Sequence, residues 1–224
     1  GTIAFATQFD GDATDWLEIS TGSLSVGTLA SVYGGAVGVL DNYVSLENIN
    51  GDVTKSGDGE FDARHFRVRS LNIDAGTART SYSAGTFNGS TLSTSYVNHL
   101  ALAGGNNPTV KLELQNNDLV INQKVDVFDI GTLGVGTGGG FTRLIQTGFN
   151  GGSWNGNGIV SGVAAANSAS FAIGYAAADD PQVGLVFNDG TSTFSGVTVD
   201  ESSMLLKFTY YGDVNLDGKT VIGD

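Results

Sequence analysis

The stretch TVKLELQNNDLVIN, residues 109–122, decides how the chain is read. Val110, Leu112 and Leu114 alternate with Lys111 and Glu113, the period of two expected of a strand with one face buried. Asn116-Asn117-Asp118 interrupts the pattern as a polar corner, and Leu119 and Ile121 resume it. The stretch therefore reads as strand, turn, strand. The same signal recurs in HFRVRSLNID, where Phe66, Val68, Leu71 and Ile73 alternate with a phase slip near Ser70, as a bulge produces. It recurs again in SMLLKFTYYGD through Met204, Leu206, Phe208 and Tyr210. Asp10-Gly11, Asn50-Gly51, Asp58-Gly59, Asn88-Gly89, Asn155-Gly156 and Asp189-Gly190 punctuate the chain with turns. The class expected is all-β.

Composition agrees with that class. The chain has 224 residues, 34 of them Gly, with 40% apolar and 15% charged residues, enough apolar material to fold and too little charge for a coiled coil. A net charge of −13 makes nucleic acid and anionic membrane surfaces poor partners and cations better ones. The absence of Cys excludes disulfides, thiolate metal sites and cysteine nucleophiles. No run approaches the ~18 apolar residues that a membrane-spanning helix needs. Gly1 opens without a charged start or an apolar signal segment, so an export signal is expected to be already removed or never present.

One segment departs from the strand pattern. Ile159 to Ala166 carries small apolar residues at near-helical spacing and ends at Asn167, which predicts a short helix near 159–166. GTLGVGTGGG, residues 131–140, predicts a boundary between a β-rich region over 1–130 and a C-terminal β subdomain over 131–211. Lys and Arg are absent from residues 1–50, whereas four basic residues fall between Lys55 and Arg69; both stretches read as solvated strand faces or as a head-to-tail charge contact between subunits.

Residues 212–224 carry the one constellation with defined metal chemistry. In DVNLDGKTVIGD, Asp213, Asn215 and Asp217 take positions 1, 3 and 5 of a 12-residue calcium loop. Gly218 at position 6 allows the sharp turn, Lys219 offers its backbone carbonyl, and Asp224 stands at position 12. Calcium is hard and needs several oxygen ligands, which this spacing supplies. Val221 at position 9 cannot ligate, and the exiting helix that would fix Asp224 is not in the sequence. The alternative is a terminal segment with no metal.

GSWNGNGIVSGVAAANSASFAIGYA (152–176) and LLKFTYYGDVNLDGK (205–219), with LELQNNDLVIN (112–122) and FTRLIQTGFNGG (141–152), resemble the C-terminal part of large exported proteins of planctomycete-type bacteria. Such proteins commonly end in a dockerin-like repeat, and dockerin loops resemble this one in carrying Asp at position 12. INGDVTKSGDGEFDARHFRVRSLNIDAG (49–76) resembles an autotransporter-associated β-strand repeat, a family that builds parallel β-solenoids. The resemblance implies an extracellular or cell-surface location and no established enzymatic activity.

Catalytic motifs are absent. His65 and His99 have no motif around them, and no G-x-S-x-G elbow, H-E-x-x-H helix or P-loop occurs. Asp179-Asp180 reads as a solvated loop pair, not a glycosidase pair across a cleft. Trp154, between glycines and asparagines, reads as a packed turn whose indole covers apolar surface, or as a sugar-stacking platform. Asn88-Gly89-Ser90 fits a glycosylation acceptor. TIAFATQF (2–9) places Ile3, Phe5, Thr7 and Phe9 on one face with no basic residue to guard the edge, so it reads as a strand within its own domain or as one donated to a neighbour.

The expectation is a parallel β-solenoid, with a sandwich or jelly roll as the alternative. The function expected is that of a secreted, non-enzymatic structural or adhesive protein of a cell surface, sheath or filament, assembling with copies of itself through strand edges. A carbohydrate-binding module recognising polysaccharide, or a dockerin-bearing protein docking on a cohesin-like partner, is the alternative. Calcium is the one cofactor expected.

Overall fold

The computed structural model describes residues 16–17, 23–26, 45–82, 94–122, 140–184 and 192–220. The protein is predominantly β. Strands β1 (Trp16–Leu17) and β2 (Ser23–Val26) both pair in parallel with β3 (Ser45–Lys55). From β3 onward, consecutive strands pass alternately between two sheets. β4 (Glu60–Ala63) lies in the second sheet, β5 (Phe66–Ile73) in the first, β6 (Thr77–Thr80) in the second, β7 (Ser95–Leu102) in the first. β8 (Lys111–Glu113) and β9 (Leu119–Ile121) continue the alternation. Helix α1 (Phe141–Phe149) then precedes β10 (Gly158–Val160), which joins the second sheet beside β8. Helix α2 (Gly162–Ala166) leads to β11 (Phe171–Ala177), the two-residue strands β12 (Thr193–Phe194) and β13 (Val197–Thr198), and β14 (Met204–Tyr210).

The second sheet, ordered β10-β8-β6-β4, is parallel throughout. The first is parallel from β1 to β9 and turns antiparallel where β14 inserts between β9 and β11. Among the described residues neither sheet closes on itself. Strands from both sides of residues 131–139, which lie outside the described residues, share both sheets: β8 with β10 and β9 with β14.

Alternation explains the core between the sheets. Phe66, Val68, Leu71 and Ile73 of β5, Val97 of β7 and Ile121 of β9 meet Phe61, Ala78, Leu112 and Ile159 from the second sheet in one buried cluster. Each such side chain contributes ~1.5–3 kcal/mol relative to exposure. The phase slip read near Ser70 is real: the burial of β5 skips a beat across Arg69 and Ser70, and its register with β3 shifts between Asn48 and Asp52. The extra residues lie on β3, so the irregularity belongs to both strands. On the exposed side of β5, Arg69 Nε donates to Asp52 Oδ1 at 2.8 Å and holds that carboxyl below its usual range.

The Asn-rich corner is built inward. Asn117 is buried, and its amide donates to Thr80 Oγ1 at 2.9 Å and to the Ser81 carbonyl, tying the β8–β9 corner to the end of β6 in the coil before it. Thr80 in turn donates to the Leu114 carbonyl at 2.7 Å. A polar side chain in this place satisfies main-chain groups that a bend removes from the ladders.

Four points need correction. Ile159 and Val160 lie in β10, not in a helix, because Ile159 sits beside Leu112 in the second sheet and is fully buried; the helix is confined to Gly162–Ala166, with Ser161 Oγ capping it at the Ala164 amide. A second helix, α1, was not anticipated. The alternation in β14 does not mark one solvated face. Met204, Leu206 and Phe208 join the inter-sheet core, while Leu205 packs with Val120, Ala178, Phe194, Val199 and Leu216 on the outer face. Lys55 is likewise no solvated charge, being fully buried at the end of β3. Among the described residues no helix is long and apolar enough to cross a membrane.

Candidate functional site: an aromatic groove beside the acidic loop

Helix α1, β11 and the end of β14 enclose a groove of about 260 Å³. Its walls include Phe149, Trp154, Tyr175, Tyr210, Tyr211 and Asp213. The helix reaches the site because Phe141, Leu144, Ile145 and Gly148 recur at helical spacing and face the core. Asn150 ends it in the left-handed conformation, and the chain turns back so that Trp154 meets Phe149 edge to face, ring centroids 5.1 Å apart.

Trp154 is 3% exposed, so its indole is a wall of the core and offers no open stacking face. Its Nε1–H is buried and finds no acceptor among the described residues. The open aromatic surface belongs to Tyr175, Tyr210 and Tyr211, each between 38% and 50% exposed. Sequence reading took Tyr210 only as a strand position and did not single out Tyr175 or Tyr211; they come to one groove through the pairing of β11 with β14.

Asp213 belongs to both the groove and the acidic loop. Its Oδ2 accepts from the Gly218 amide at 2.9 Å and from the Thr209 hydroxyl, and its Oδ1 accepts from the Asp217 amide at 3.1 Å. Asn215 Oδ1 also accepts from the Asp217 amide, at 3.1 Å, and Asp217 Oδ1 accepts from the Lys219 amide at 2.8 Å. The segment thus coils around its own carboxylates. It is anchored by Leu216, which is buried in the outer cluster and sits against Gly174: a Cβ added there would lie 2.7 Å from Leu216 Cδ2. Gly218 has φ +84, the left-handed conformation the turn requires.

The structure therefore brings Asp213, Asn215, Asp217 and the Lys219 backbone into one turn. Asp224 lies outside the described residues, as do Ile3, Phe5, Thr7 and Phe9. Among the described residues, no three His, Cys, Asp or Glu side chains gather as a metal-holding group. His65 is buried at the corner between β4 and β5, His99 is exposed on β7, and neither lines the groove.

No protein-family model matches the chain, and no curated protein or solved structure matches it.

Proposed function

We propose that the chain is a secreted, non-enzymatic structural or adhesive protein of a cell surface, sheath or filament, wound as a parallel β-solenoid. The observation that carries this reading is the alternation of consecutive strands between two parallel sheets, β3 through β10. In such a coil each rung buries its apolar side chains against the next and directs its main-chain donors and acceptors along the stack. The stack ends in strand edges: among the described residues, β4 pairs on one side only, with β6. Such an edge is a template for another copy.

Residues 2–9 are the proposed strand donor to that neighbour. Removing residues 1–9 is expected to leave a folded monomer by light scattering and no extended particles in negative-stain micrographs. Assembly undiminished by the deletion rules out this route.

The loop at Asp213, Asn215, Asp217, the Lys219 carbonyl and Asp224 is proposed to bind calcium when the chain continues past Asp224. The coiling of the loop around its own carboxylates supports this. Titration calorimetry on a chain extended beyond Asp224 is expected to give calcium heat that Asp213→Ala abolishes; no heat from the extended wild type refutes the site. The resemblance to dockerins makes a cohesin-like protein the corresponding partner. The exposed tyrosines Tyr175, Tyr210 and Tyr211 at the groove favour a second reading, attachment to polysaccharide, whose signature is retention of the protein on insoluble glycan.

A further inference from the structure

Lys207 and Asp118 form a buried pair at the junction of β9, β14 and the β12–β13 hairpin. In the antiparallel register Leu206 pairs with Leu119, which sets Lys207 directly across from Asp118. Their side chains are 7% and 2% exposed, and Lys207 Nζ lies 3.4 Å from Asp118 Oδ2. The carboxyl is held at both oxygens. The Phe208 amide donates to Oδ1 at 3.0 Å, and the Ser195 hydroxyl donates to Oδ2. Ser195 Oγ is itself 3.4 Å from Lys207 Nζ, so one hydroxyl touches both members of the pair.

Ser195 is fixed for that role. It and Gly196 form the two-residue turn between β12 and β13, with φ of 48 and 78, the backbone of a tight hairpin turn. Thr94 Oγ1 donates to the Ser195 carbonyl at 3.0 Å, pinning the turn against the sheet. Phe194 lies under the ammonium, with Nζ 5.3 Å from its ring centroid. The hairpin thus carries an apolar cover and a hydroxyl to the same spot.

An ion pair is a costly way to fill such a place, since both charges lose their water and repulsion is not the alternative being avoided. Burial pushes the Asp118 carboxyl above its usual range, with the Lys207 charge opposing. Condensation requires that the ammonium proton pass to the carboxylate first, so that a neutral amine faces a neutral acid.

We propose that Lys207 and Asp118 join in an intramolecular amide bond formed by the folded chain itself. The Nζ lone pair attacks Asp118 Cγ, and the Phe208 amide stabilises the negative charge that develops on Oδ1. The Ser195 hydroxyl takes a proton from Nζ and passes its own to Oδ2. Oδ2 leaves as water, and an Nζ–Cγ bond replaces the Cγ–Oδ2 bond. One ammonium and one carboxylate become one amide and one water, with no change in oxidation state and no added reagent. The bond closes a covalent ring over residues 118–207, which takes in β9, α1, β10, α2, β11 and the hairpin. Such a ring restricts the unfolded chain as a disulfide does, in a protein that has no Cys to make one.

The test is the intact mass of the purified, folded chain. It is expected to fall short of the sequence mass by one water molecule. Tandem spectra of a tryptic digest are expected to show a branched peptide that links the Asp118 and Lys207 segments, with no cleavage after Lys207. Lys207→Arg and Asp118→Ala are each expected to restore the full mass, and Ser195→Ala to slow the loss of water. A folded wild-type chain at full mass overturns the proposal. A missing water that maps to a succinimide at an Asp-Gly step, leaving Lys207 cleavable, overturns it equally.

Discussion

Gly148→Ala is expected to destabilise the protein by about 3 kcal/mol, the upper end of what overpacking a closed core costs. Gly148 is the point at which α1 rests on β10. A Cβ built there would lie 1.9 Å from the Ile159 carbonyl oxygen and 3.0 Å from Val160 Cγ1. The obstacle is main chain, and that main chain is already committed, since β10 is paired to β8. The helix must therefore lift, and lifting it weakens the burial of Phe141, Leu144 and Ile145 together. Neighbouring glycines make the contact stiffer. A Cβ at Gly156 would lie 1.9 Å from the Thr147 carbonyl oxygen, and one at Gly158 would lie 2.2 Å from that of Leu144. The control is Gly151→Ala. Gly151 has φ +68 with nothing within 4 Å of its Cβ position, so that substitution costs only the left-handed backbone penalty of about 1–2 kcal/mol. Urea unfolding of the two variants separates a close approach from a backbone effect; equal losses would mean that α1 does not depend on contact at Gly148.

The same glycine explains why α1 was not read from the sequence. Phe141, Leu144, Ile145 and Phe149 stand at helical spacing, but Gly148 occupies a position where a large apolar residue would complete the stripe, and a Gly-rich stretch precedes it. The strands were legible because they needed no partner to be recognised: Leu112 alternates with Lys111 and Glu113 whatever it pairs with. Their division between two sheets was not, since it depends on Asn117 turning inward to Thr80 and Ser81, a contact between residues far apart in the chain. β14 shows the limit of alternation. Lys207 and Thr209 fall on its polar phase, yet both are buried, because β12–β13 and the loop around Leu216 cover the outer face there. At the candidate site, Asp213, Asn215 and Asp217 were legible from spacing alone. The tyrosines around the groove were not, since they line one groove only once β11 is paired with β14 and α1 packs beside them.

Lys55 gives the other large effect. Its spacing from Arg64, Arg67 and Arg69 suggested a solvated face, but its ammonium is buried among main-chain carbonyls. Nζ donates to Ser56 O at 2.9 Å, Gly57 O at 2.6 Å and Ala75 O at 3.2 Å. Three protons meet three acceptors, drawn from the turns that follow β3 and β5. The backbone of Lys55 binds the same turn, its carbonyl accepting from the Asp74 amide at 2.8 Å. Gly76, with φ +72, leaves no room for a side chain, since its Cβ would lie 2.9 Å from Nζ and 2.3 Å from Gly59 O. Lys55→Met keeps the length of the side chain and removes every donor. Three partly buried carbonyls then lose a partner at ~1 kcal/mol each, so thermal or urea unfolding is expected to show a loss of about 3 kcal/mol. Burial holds the Lys55 ammonium below its ordinary 10.5, with Asp58 opposing. Between the lowered value and 10.5 the unfolded chain keeps a proton that the folded chain has released, so wild-type stability rises with pH across that window. The gap between wild type and Lys55→Met is therefore expected to widen as pH is raised toward 10.5. A gap that is absent at neutral pH would show that the ammonium does not hold the two turns together, and one that narrows would show that the charged form is the one the fold prefers.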